Sequence, residues 1–324
     1  MVRTILAILG FAFVTQLSPA QAQDWPQRPI TLIVSQPAGA SPDVMARMIA
    51  ERMGKTLGQT VIIENKPGAG NVVGAAAAAR AAADGYTLFF ATSAALVTNP
   101  FMMKSLPYDP VKDFAPIALV ARSHQLVVVN PGVAAKTLPE LIALEKKTPG
   151  KFSMSVDGPR NLAGVTAQGL NKYAGTQFVA IPSTNPNAGV QDVMTGRTQA
   201  GVFSISIVEQ LVRAGSLRAI AVASSGRASS MPDVPSVAET LPGFDFLGWF
   251  MLMAPAGTPP AVIAKVNAAA DAATKDPQVK ELSAKLGFDL QPNGVGSPQA
   301  AGTFLKEQLG VWEKIAKELA IEKQ

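Results

Sequence analysis

Short apolar runs alternate with helical stretches along most of this chain, and this alternation limits the fold more than any other feature. Residues 30–34, 61–64 and 87–91 read as buried strands. Between them, helices are predicted from about residue 42 to 57 and from about 71 to 83, the second rich in alanine. Strands that alternate with helices in this way are typical of parallel sheets in α/β proteins.

The same alternation starts again in the second half of the chain. Two nearly contiguous strands are predicted at 116–121 and 126–129, and a second round of strands and helices follows. The length of 324 residues suggests two domains. We predict lobe 1 at residues 23–122 and 224–324 and lobe 2 at residues 123–223, joined by two crossings. The alternative is one doubly wound domain with a helical tail.

The N-terminal segment has the composition of an export signal. Arg3 supplies a positive charge, residues 4–17 are almost wholly apolar, and small residues follow in the A-x-A spacing of a cleavage site. A membrane-spanning helix needs roughly 20 apolar residues, so this run is too short. We predict a signal peptide at residues 1–22, cleaved near Ala22–Gln23, and a mature protein in the periplasm. The alternative is an N-terminal core helix, which Pro19 disfavours.

The composition excludes several classes of protein. The chain has no cysteine, so it has no disulfide and no lipid on a cysteine, which favours a free exported protein. The formal net charge is +5, but the basic residues are dispersed, and we expect no nucleic-acid partner. After the signal, no apolar run approaches the length of a membrane span, so we expect a soluble mature protein.

The residue patterns of enzymes are mostly missing. His124 is the one histidine, and there is no cluster of metal-ligating residues, no G-x-S-x-G turn and no phosphate-binding G-x-x-x-x-G-K-[ST] loop. We therefore expect no catalytic residue, no metal and no cofactor, and we interpret His124 as a structural residue at the end of a strand.

Two turns rich in small residues stand between predicted strands and helices. The first supplies the candidate ligand contacts Ala38, Gly39, Ala40, Ser41 and Asp43, and the second supplies Gly68, Ala69 and Gly70. Small residues let the backbone approach a ligand closely, and the start of the following helix favours an anion. Both turns lie at the carboxyl ends of their strands, where α/β proteins bind ligands. Ser41 or Asp43 is expected to cap the first helix.

Two alternatives stay open for these turns. Both could be ordinary strand-to-helix connections with good caps. Residues 68–74 also approximate a dinucleotide-binding G-x-G-x-x-G motif, but the spacing differs, and the next strand runs into Thr92-Ser93-Ala94 instead of an acidic residue. Ser93 at that strand end is retained as a candidate contact.

The second round of the pattern offers a matching set of polar residues at strand ends. They are Ser155, Asp157, Gly158, Arg160, Asn161, Ser183, Thr184 and Ser204. Arg160 could hold a carboxylate through two parallel hydrogen bonds, or it could be a solvated surface charge. Asp157 would repel an anion unless it points away or pairs with Arg160.

Read together with their flanks, these turns resemble a known family over nearly the whole mature chain. The matching stretches are WPQRPI at 25–30, PAG at 37–39 with Asp43 and Ala46-Arg47, ENKPGAG at 64–70, DGYT at 84–87, LPYDP at 106–110, DFAPI at 113–117, GSLRA at 215–219, PDVPS at 232–236, PGF at 242–244, GW at 248–249 and APAGTP at 254–259. The chain resembles the solute receptors of tripartite tricarboxylate transporters, also called Bug-type periplasmic binding proteins.

This resemblance implies a two-lobe α/β fold of the type II periplasmic binding protein kind, with two hinge crossovers and a ligand cleft between the lobes. It implies no catalysis, a small organic carboxylate as ligand, and cognate membrane permease subunits as partners. The first-lobe turns would hold the proximal carboxylate, and the second-lobe loops would meet the distal end of the ligand. Lobe closure works in a single chain, so we expect a monomer.

The chain departs from the family pattern mainly in the second lobe. Residues 157–162 read DGPRNL where the family often has Gly and Ser followed by a His, and residues 182–184 read PST where a Tyr-Lys-Gly turn is usual. Thr198-Gln199 replaces the usual Val-Asp, and the first turn has Gly39-Ala40 in place of Gly-Gly. We infer that the chain retains the family's site for the proximal carboxylate. We also infer that its ligand has an unusual distal group, as an aromatic or larger acid would.

Two further hypotheses compete with the transport receptor. An exported hydrolase would need paired carboxylates, but Asp43, Asp157 and Asp192 lie on different predicted elements. A receptor that signals through a sensor kinase would have the same sequence features as one that supplies a transporter.

Overall fold

A computed structural model of the chain describes residues 25–159, 161–183 and 185–323. The predicted signal peptide at residues 1–22 lies outside the described residues, as do Arg160 and Thr184. In the part of the chain that the structure describes, the backbone forms two β-sheets and ten α-helices.

The strands, in chain order, are β1 Ile30–Val34, β2 Val61–Asn65, β3 Thr87–Thr92, β4 Phe114–Ser123, β5 Gln125–Val129, β6 Ser153–Val156, β7 Val179–Pro182, β8 Ala200–Ser204, β9 Arg218–Val222, β10 Gly248–Pro255 and β11 Phe288–Leu290. The helices are α1 Ser41–Leu57, α2 Val72–Ala79, α3 Asn99–Met102, α4 Leu138–Lys147, α5 Leu162–Ala174, α6 Pro186–Met194, α7 Ile205–Arg213, α8 Pro260–Lys275, α9 Pro277–Lys285 and α10 Pro298–Glu318. A π-helical turn at Ala94–Thr98 precedes α3, and a short 3-10 turn covers Val237–Glu239.

The first sheet has the strand order β11-β4-β10-β3-β1-β2. β1 pairs in parallel with β2 and β3, whereas β10 runs antiparallel between β3 and β4. Successive side chains point to opposite faces of the sheet. Leu32 and Leu88 pack with Met45 of α1 on one face, while Ile33 and Phe89 belong to the core on the other face. Apolar side chains on both faces explain why these strands read as continuous hydrophobic runs.

The second sheet has the strand order β7-β6-β8-β5-β9. β6 pairs in parallel with β7 and β8, and β5 runs antiparallel to β8 and β9. The chain therefore forms the predicted α/β fold with two sheets, and the C-terminal segment returns to the first sheet through β10 and β11.

The chain crosses between the two sheets at two adjacent points. β4 ends at Ser123 in the first sheet, and β5 begins at Gln125 in the second, so His124 alone separates them. The return crossing follows β9, where the Ala223 amide donates to the Gln125 carbonyl at 2.8 Å. His124 joins both crossings: its Nδ1 lies 3.2 Å from the Ser224 hydroxyl oxygen, and its Nε2 lies 2.6 Å from Asp289 Oδ2 in β11. His124 is thus a buried structural residue next to a strand end, as its position in the sequence suggested.

Several elements differ from the sequence-based prediction. The second helix ends at Ala79 instead of near residue 83, and α3, α4, α7, α9 and β11 were not predicted. α7 follows β8 directly, and the π-helical turn begins only one residue after β3, in both cases without an intervening turn. Because no Gly or Pro marks these changes from strand to helix, local sequence signals do not separate the two elements.

The start of α2 packs directly on the end of β1, and Gly74 permits that contact. A Cβ at this position would lie 2.8 Å from Ser35 Cα and 2.9 Å from the Lys66 carbonyl oxygen. Both neighbours are backbone atoms that cannot rotate away. This close approach sets where the loop after β1 lies relative to the loop after β2.

We expect Gly74→Ala to lower the free energy of unfolding by about 1–3 kcal/mol, because the added methyl group pushes two backbone segments apart. Urea denaturation measures this change. Gly310→Ala is the matched control, since Gly310 is exposed in α10 with nothing within 4 Å of its added Cβ. That control should raise stability by up to about 1 kcal/mol through helix propensity. An unaltered or increased stability of the Gly74 variant would contradict the packing argument.

Candidate functional site

The carboxyl ends of strands from both sheets meet in the cleft between the sheets, where two connected spaces lie. The inner cavity has a volume of about 610 Å³, part of it open to solvent. It is lined by Gln36, Ala40, Ser41, Pro42, Thr92, Ser93, Ala94, Ser123, Gln125, Asp157, Asn161, Leu162, Ala163, Pro186, Val202, Phe203, Ser204, Ile207, Gly248, Trp249 and Phe250.

The outer groove is more open to solvent and has a volume of about 1030 Å³. It is lined by Ser35, Gln36, Pro37, Pro67, Gly68, Ala69, Gly70, Asn71, Asp157, Gly158, Pro159, Asn161, Pro182, Ser183 and Pro186. Four residues, Gln36, Asp157, Asn161 and Pro186, line both spaces, so the cavity and the groove adjoin.

The turn before α2 is a run of left-handed backbone conformations. Gly68, Ala69, Gly70 and Asn71 have φ values of 136°, 46°, 63° and 78°. Glycine adopts this region freely, and asparagine tolerates it better than most residues. The Asn71 side chain is buried, and its Oδ1 accepts hydrogen bonds from Ser35 Oγ and Gln36 Nε2 at 3.0 and 2.9 Å. Asn71 therefore ties the second turn to the first.

The start of α1 is held by Asp43 from inside its first turn. The N-cap residue of α1 is Ala40, and no side chain makes a capping hydrogen bond at this helix start. The expectation that Ser41 or Asp43 caps the helix is therefore wrong. Instead the Asp43 carboxylate accepts from the Gly39 amide at 2.8 Å and from Arg47 and Asn65. Burial by itself raises the pKa of Asp43, but these three hydrogen bonds outweigh it and hold the pKa below its usual value. Asp43 thus stabilises the turn between β1 and α1.

Three serine hydroxyls join the two sheets at the floor of the inner cavity. Ser41 Oγ, at the start of α1, lies 3.1 Å from Ser123 Oγ and accepts from Ser204 Oγ at 3.1 Å. Ser123 and Ser204 are themselves 3.3 Å apart. Ser41 begins α1, which packs on the first sheet, Ser123 ends β4 of that sheet, and Ser204 ends β8 of the second sheet. Each hydroxyl can rotate its hydrogen toward a ligand oxygen.

The loop between β6 and α5 faces the glycine turn across the cleft. Asn161 Oδ1 accepts from Asn71 Nδ2 at 2.9 Å, a hydrogen bond between the two lobes. The Asn161 Nδ2 donates to the Asp157 carbonyl at 2.8 Å. A Cβ on Gly164 of α5 would lie 2.2 Å from the Gly158 carbonyl oxygen, so the loop packs tightly against its own helix. These contacts fix the backbone that carries Asp157.

The Asp157 carboxyl lacks an ionic partner among the residues that the structure describes. Its Oδ1 is shielded from solvent and accepts no hydrogen bond. Burial raises the pKa of Asp157 to about 7, although the backbone amides of Asp157 and Ala163 act in the opposite direction. Near neutral pH this carboxyl therefore exchanges between the neutral and the ionised form.

Neutral hydrogen-bond donors dominate the rest of the site. None of the described residues that line either space is a lysine, arginine or histidine. Four helices have residues of their first turn in the lining of the inner cavity. These residues are Ser41 of α1, Leu162 of α5, Pro186 of α6 and Ile207 of α7. Amides at a helix start and nearby hydroxyls favour a negatively charged group.

Comparison with known proteins gives a decisive result. A family model described as "Tripartite tricarboxylate transporter family receptor" matches residues 45–321. The chain belongs to this receptor family. Protein BugT of Bordetella pertussis is 33% identical to the receptor over 318 residues, which cover 97% of each chain. Members of this family are periplasmic solute-binding proteins, not enzymes.

Solved structures show the same fold. A Rhodopseudomonas palustris protein, Rpa4515, determined with adipate, aligns with a TM-score of 0.88 and 27% identity over 93% of the receptor and 100% of that chain. MatC of the same species, with bound malate, aligns with a TM-score of 0.84 and 29% identity over 90% of the receptor and 99% of that chain. The expected periplasmic binding protein fold, with two lobes around a cleft, is thereby confirmed.

The structure brings most of the predicted contact residues to the two spaces. The inner cavity receives Ala40, Ser41, Ser93, Asp157, Asn161 and Ser204, and the outer groove receives Gly68, Ala69, Gly70, Asp157, Gly158, Asn161 and Ser183. Four others line neither space. Ala38 and Gly39 are exposed, Asp43 is bonded within lobe 1, and Ser155 is fully buried against α6, where a Cβ on Gly189 would lie 2.7 Å from its hydroxyl.

Sequence reasoning missed several residues that line the inner cavity. Ser123 and Gln125 flank His124 at the first crossing, and Gln36 follows β1. A polar side chain within an otherwise apolar strand was the available signal for the first two. Trp249, also in the cavity wall, had no such signal because a buried aromatic residue in a strand usually belongs to the core.

Two absences hold for the part of the chain that the structure describes. No helix in that part of the receptor is long and apolar enough to cross a membrane. No three acidic, histidine or cysteine side chains come together there as a metal site.

We expect Asp157→Asn to stabilise the ligand-free receptor at alkaline pH. The pKa of Asp157 is raised from 3.8 to about 7 on folding, so the folded state holds a proton that the unfolded chain releases. Stability is therefore lost as pH rises from about 4 to about 7. The variant should melt at least ~2 °C above the parent at pH 8 and close to it at pH 4.

Scanning calorimetry across this pH range measures the difference. The exposed Asp233→Asn variant is the control and should melt with the parent at both pH values. Equal melting temperatures of Asp157→Asn and the parent at pH 8 would show that this carboxyl is not destabilised by burial.

Proposed function

We propose that this receptor captures a small organic carboxylate, such as a dicarboxylate, a tricarboxylate or an aromatic acid, and delivers it to the permease of a tripartite tricarboxylate transporter. The observation that carries the proposal is the meeting of helix starts and hydroxyl groups from both lobes around one cavity without a lysine, arginine or histidine among its described residues. Such a site suits an anion that must be both bound and released.

Neutral donors can supply the required affinity. A micromolar ligand needs about −8 kcal/mol, and a hydrogen bond to a charged group contributes roughly 1.5–3 kcal/mol. Four or five such bonds reach this range after the costs of ordering and closure are subtracted. In this proposal Ser41, Ser93 and Ser204 donate from the inner cavity, and the amides of Gly68, Ala69 and Gly70 donate from the outer groove. The distal end of the ligand is assigned to Ser183 and Asn161, together with Arg160 and Thr184 from outside the described residues.

Four predicted residues take supporting positions in this scheme. Asp43 holds the turn that contains Ala38 and Gly39, and Ser155 lies beneath α6. They shape the site without being assigned a contact with the ligand.

The lobes close around the ligand in this scheme. We propose the boundaries predicted above, with lobe 1 at residues 23–122 and 224–324 and lobe 2 at residues 123–223. The hydrogen bonds Ser204–Ser41 and Asn71–Asn161 join these lobes across the cleft, as expected for a closed form. The crossings at His124 and Ala223 would be the hinge.

The related structures support the ligand class. Rpa4515 was determined with adipate and MatC with bound malate, and both of these acids are dicarboxylates. We extend only this class to the receptor. We further propose an exported monomer, with its signal peptide cleaved near Ala22–Gln23, that needs no cofactor and catalyses no reaction.

A panel of mono-, di- and tricarboxylates tests the proposal by thermal shift and calorimetry. At least one acid should raise the melting temperature, and Ser41→Ala should weaken its binding by about tenfold, because one hydrogen bond to a charged group is lost. Ser105→Ala is the control, since Ser105 is exposed and lines neither space. A panel in which a neutral sugar stabilises the protein and no acid does would refute carboxylate capture.

A further inference from the structure

Carboxylate capture leaves Asp157 without a role. An ionised carboxyl in the cleft repels an anion, yet Asp157 lines both the inner cavity and the outer groove. Its Oδ1 is shielded from solvent and has no hydrogen-bond partner. A buried acceptor in this condition costs free energy until a donor reaches it. A ligand that fills the cleft is the natural source of that donor.

Hydrogen bonds and close packing within the loop between β6 and α5 fix the position of this carboxyl. Asn161 Nδ2 holds the Asp157 carbonyl, while Asn161 Oδ1 bonds to Asn71 across the cleft. Gly158 has a φ of 136°, and its carbonyl lies so close to Gly164 that any larger residue there would displace the loop. The backbone at Asp157 is therefore braced by α5 and by the first lobe when the cleft is closed.

The charges around the cleft favour a ligand with two different ends. Helix starts from both lobes reach the inner cavity, and the first lobe adds the glycine-turn amides; both kinds of donor attract a negative group. The second lobe alone adds a carboxyl, Asp157, to the described lining, and no lysine, arginine or histidine stands among the described residues that line either space. A buried negative charge is best compensated by a cation that also donates a hydrogen bond.

We propose that the ligand is an amino-carboxylate, whose carboxylate binds the first lobe and whose ammonium group, at the remote end, donates to Asp157. This inference rests on the proposed function and narrows its ligand class. A second carboxylate at the remote end would meet Asp157 as a like charge whenever both are ionised.

Matched ligands test the inference directly. Calorimetry is run at pH 8, above the pKa of about 7 that burial gives Asp157. Each of two sets contains a simple acid, a diacid and an amino acid of the same carbon number: butyrate, succinate and 4-aminobutyrate in one, and hexanoate, adipate and 6-aminohexanoate in the other. Within at least one set the amine should bind about tenfold more tightly than the acid and the diacid. Asp157→Asn should remove this advantage and bind the simple acid at least as tightly as the parent does, because a like charge is removed from the cleft.

Two further variants separate the alternatives. Asp192→Asn, on α6 and paired with Arg197 in the parent, is the control and should keep the preference for the amine. Arg160→Ala removes a cation assigned to the remote end of the ligand, so it should keep or increase the preference for the amine. If Arg160→Ala lowers the preference while Asp157→Asn does not, or if the diacid binds the parent as tightly as the amine, the inference is wrong and carboxylate capture stands. If none of the six acids binds either protein, the amino-carboxylate inference fails, and the wider panel of acids described above decides carboxylate capture separately.

Discussion

The contact between the two chain crossings is the interaction on which the arrangement of the site depends. His124 bonds to Ser224 in the return crossing and to Asp289 in β11, and the Ala223 amide bonds to the Gln125 carbonyl. The hydrogen bond from His124 lowers the pKa of Asp289, and burial acts against it, so the acceptor stays ionised. Because the crossings lie side by side, the strand ends of both sheets face one cleft.

That geometry allows the proposed anion site to be built without a cationic side chain among the described residues that line it. Helix starts from both lobes and the Ser41–Ser123–Ser204 hydroxyls converge where the parallel strands end. Arg47 of α1 is occupied by Asp43 and stabilises the protein's own backbone. In the proposed site, helix and peptide dipoles therefore balance the charge of the ligand, and the unpaired Oδ1 of Asp157 offers an acceptor to a donor at its remote end.

Much of the fold could be predicted from local patterns. β1, α1, β2 and β3 were predicted within one or two residues, because buried strands and their following helices have a clear hydrophobic period. The predictions failed where that period is interrupted without a turn residue, as at α7, or where an element is as short as β11. The two glycine turns were recognised because small residues that allow close approach of the backbone stand between a strand and a helix in each of them.

The sequence by itself determined the class of fold, the place of the turns and the neutral chemistry of the first-lobe site, since these depend on residues close together in the chain. Only the tertiary structure decided which polar residues face the cleft. Asp43 and Asp157 both follow strands in the sequence, yet one is bonded by Gly39, Arg47 and Asn65 while the other faces the cleft with Oδ1 unpaired. The physical reason is that hydrogen-bond partners come from distant segments, which only folding brings together.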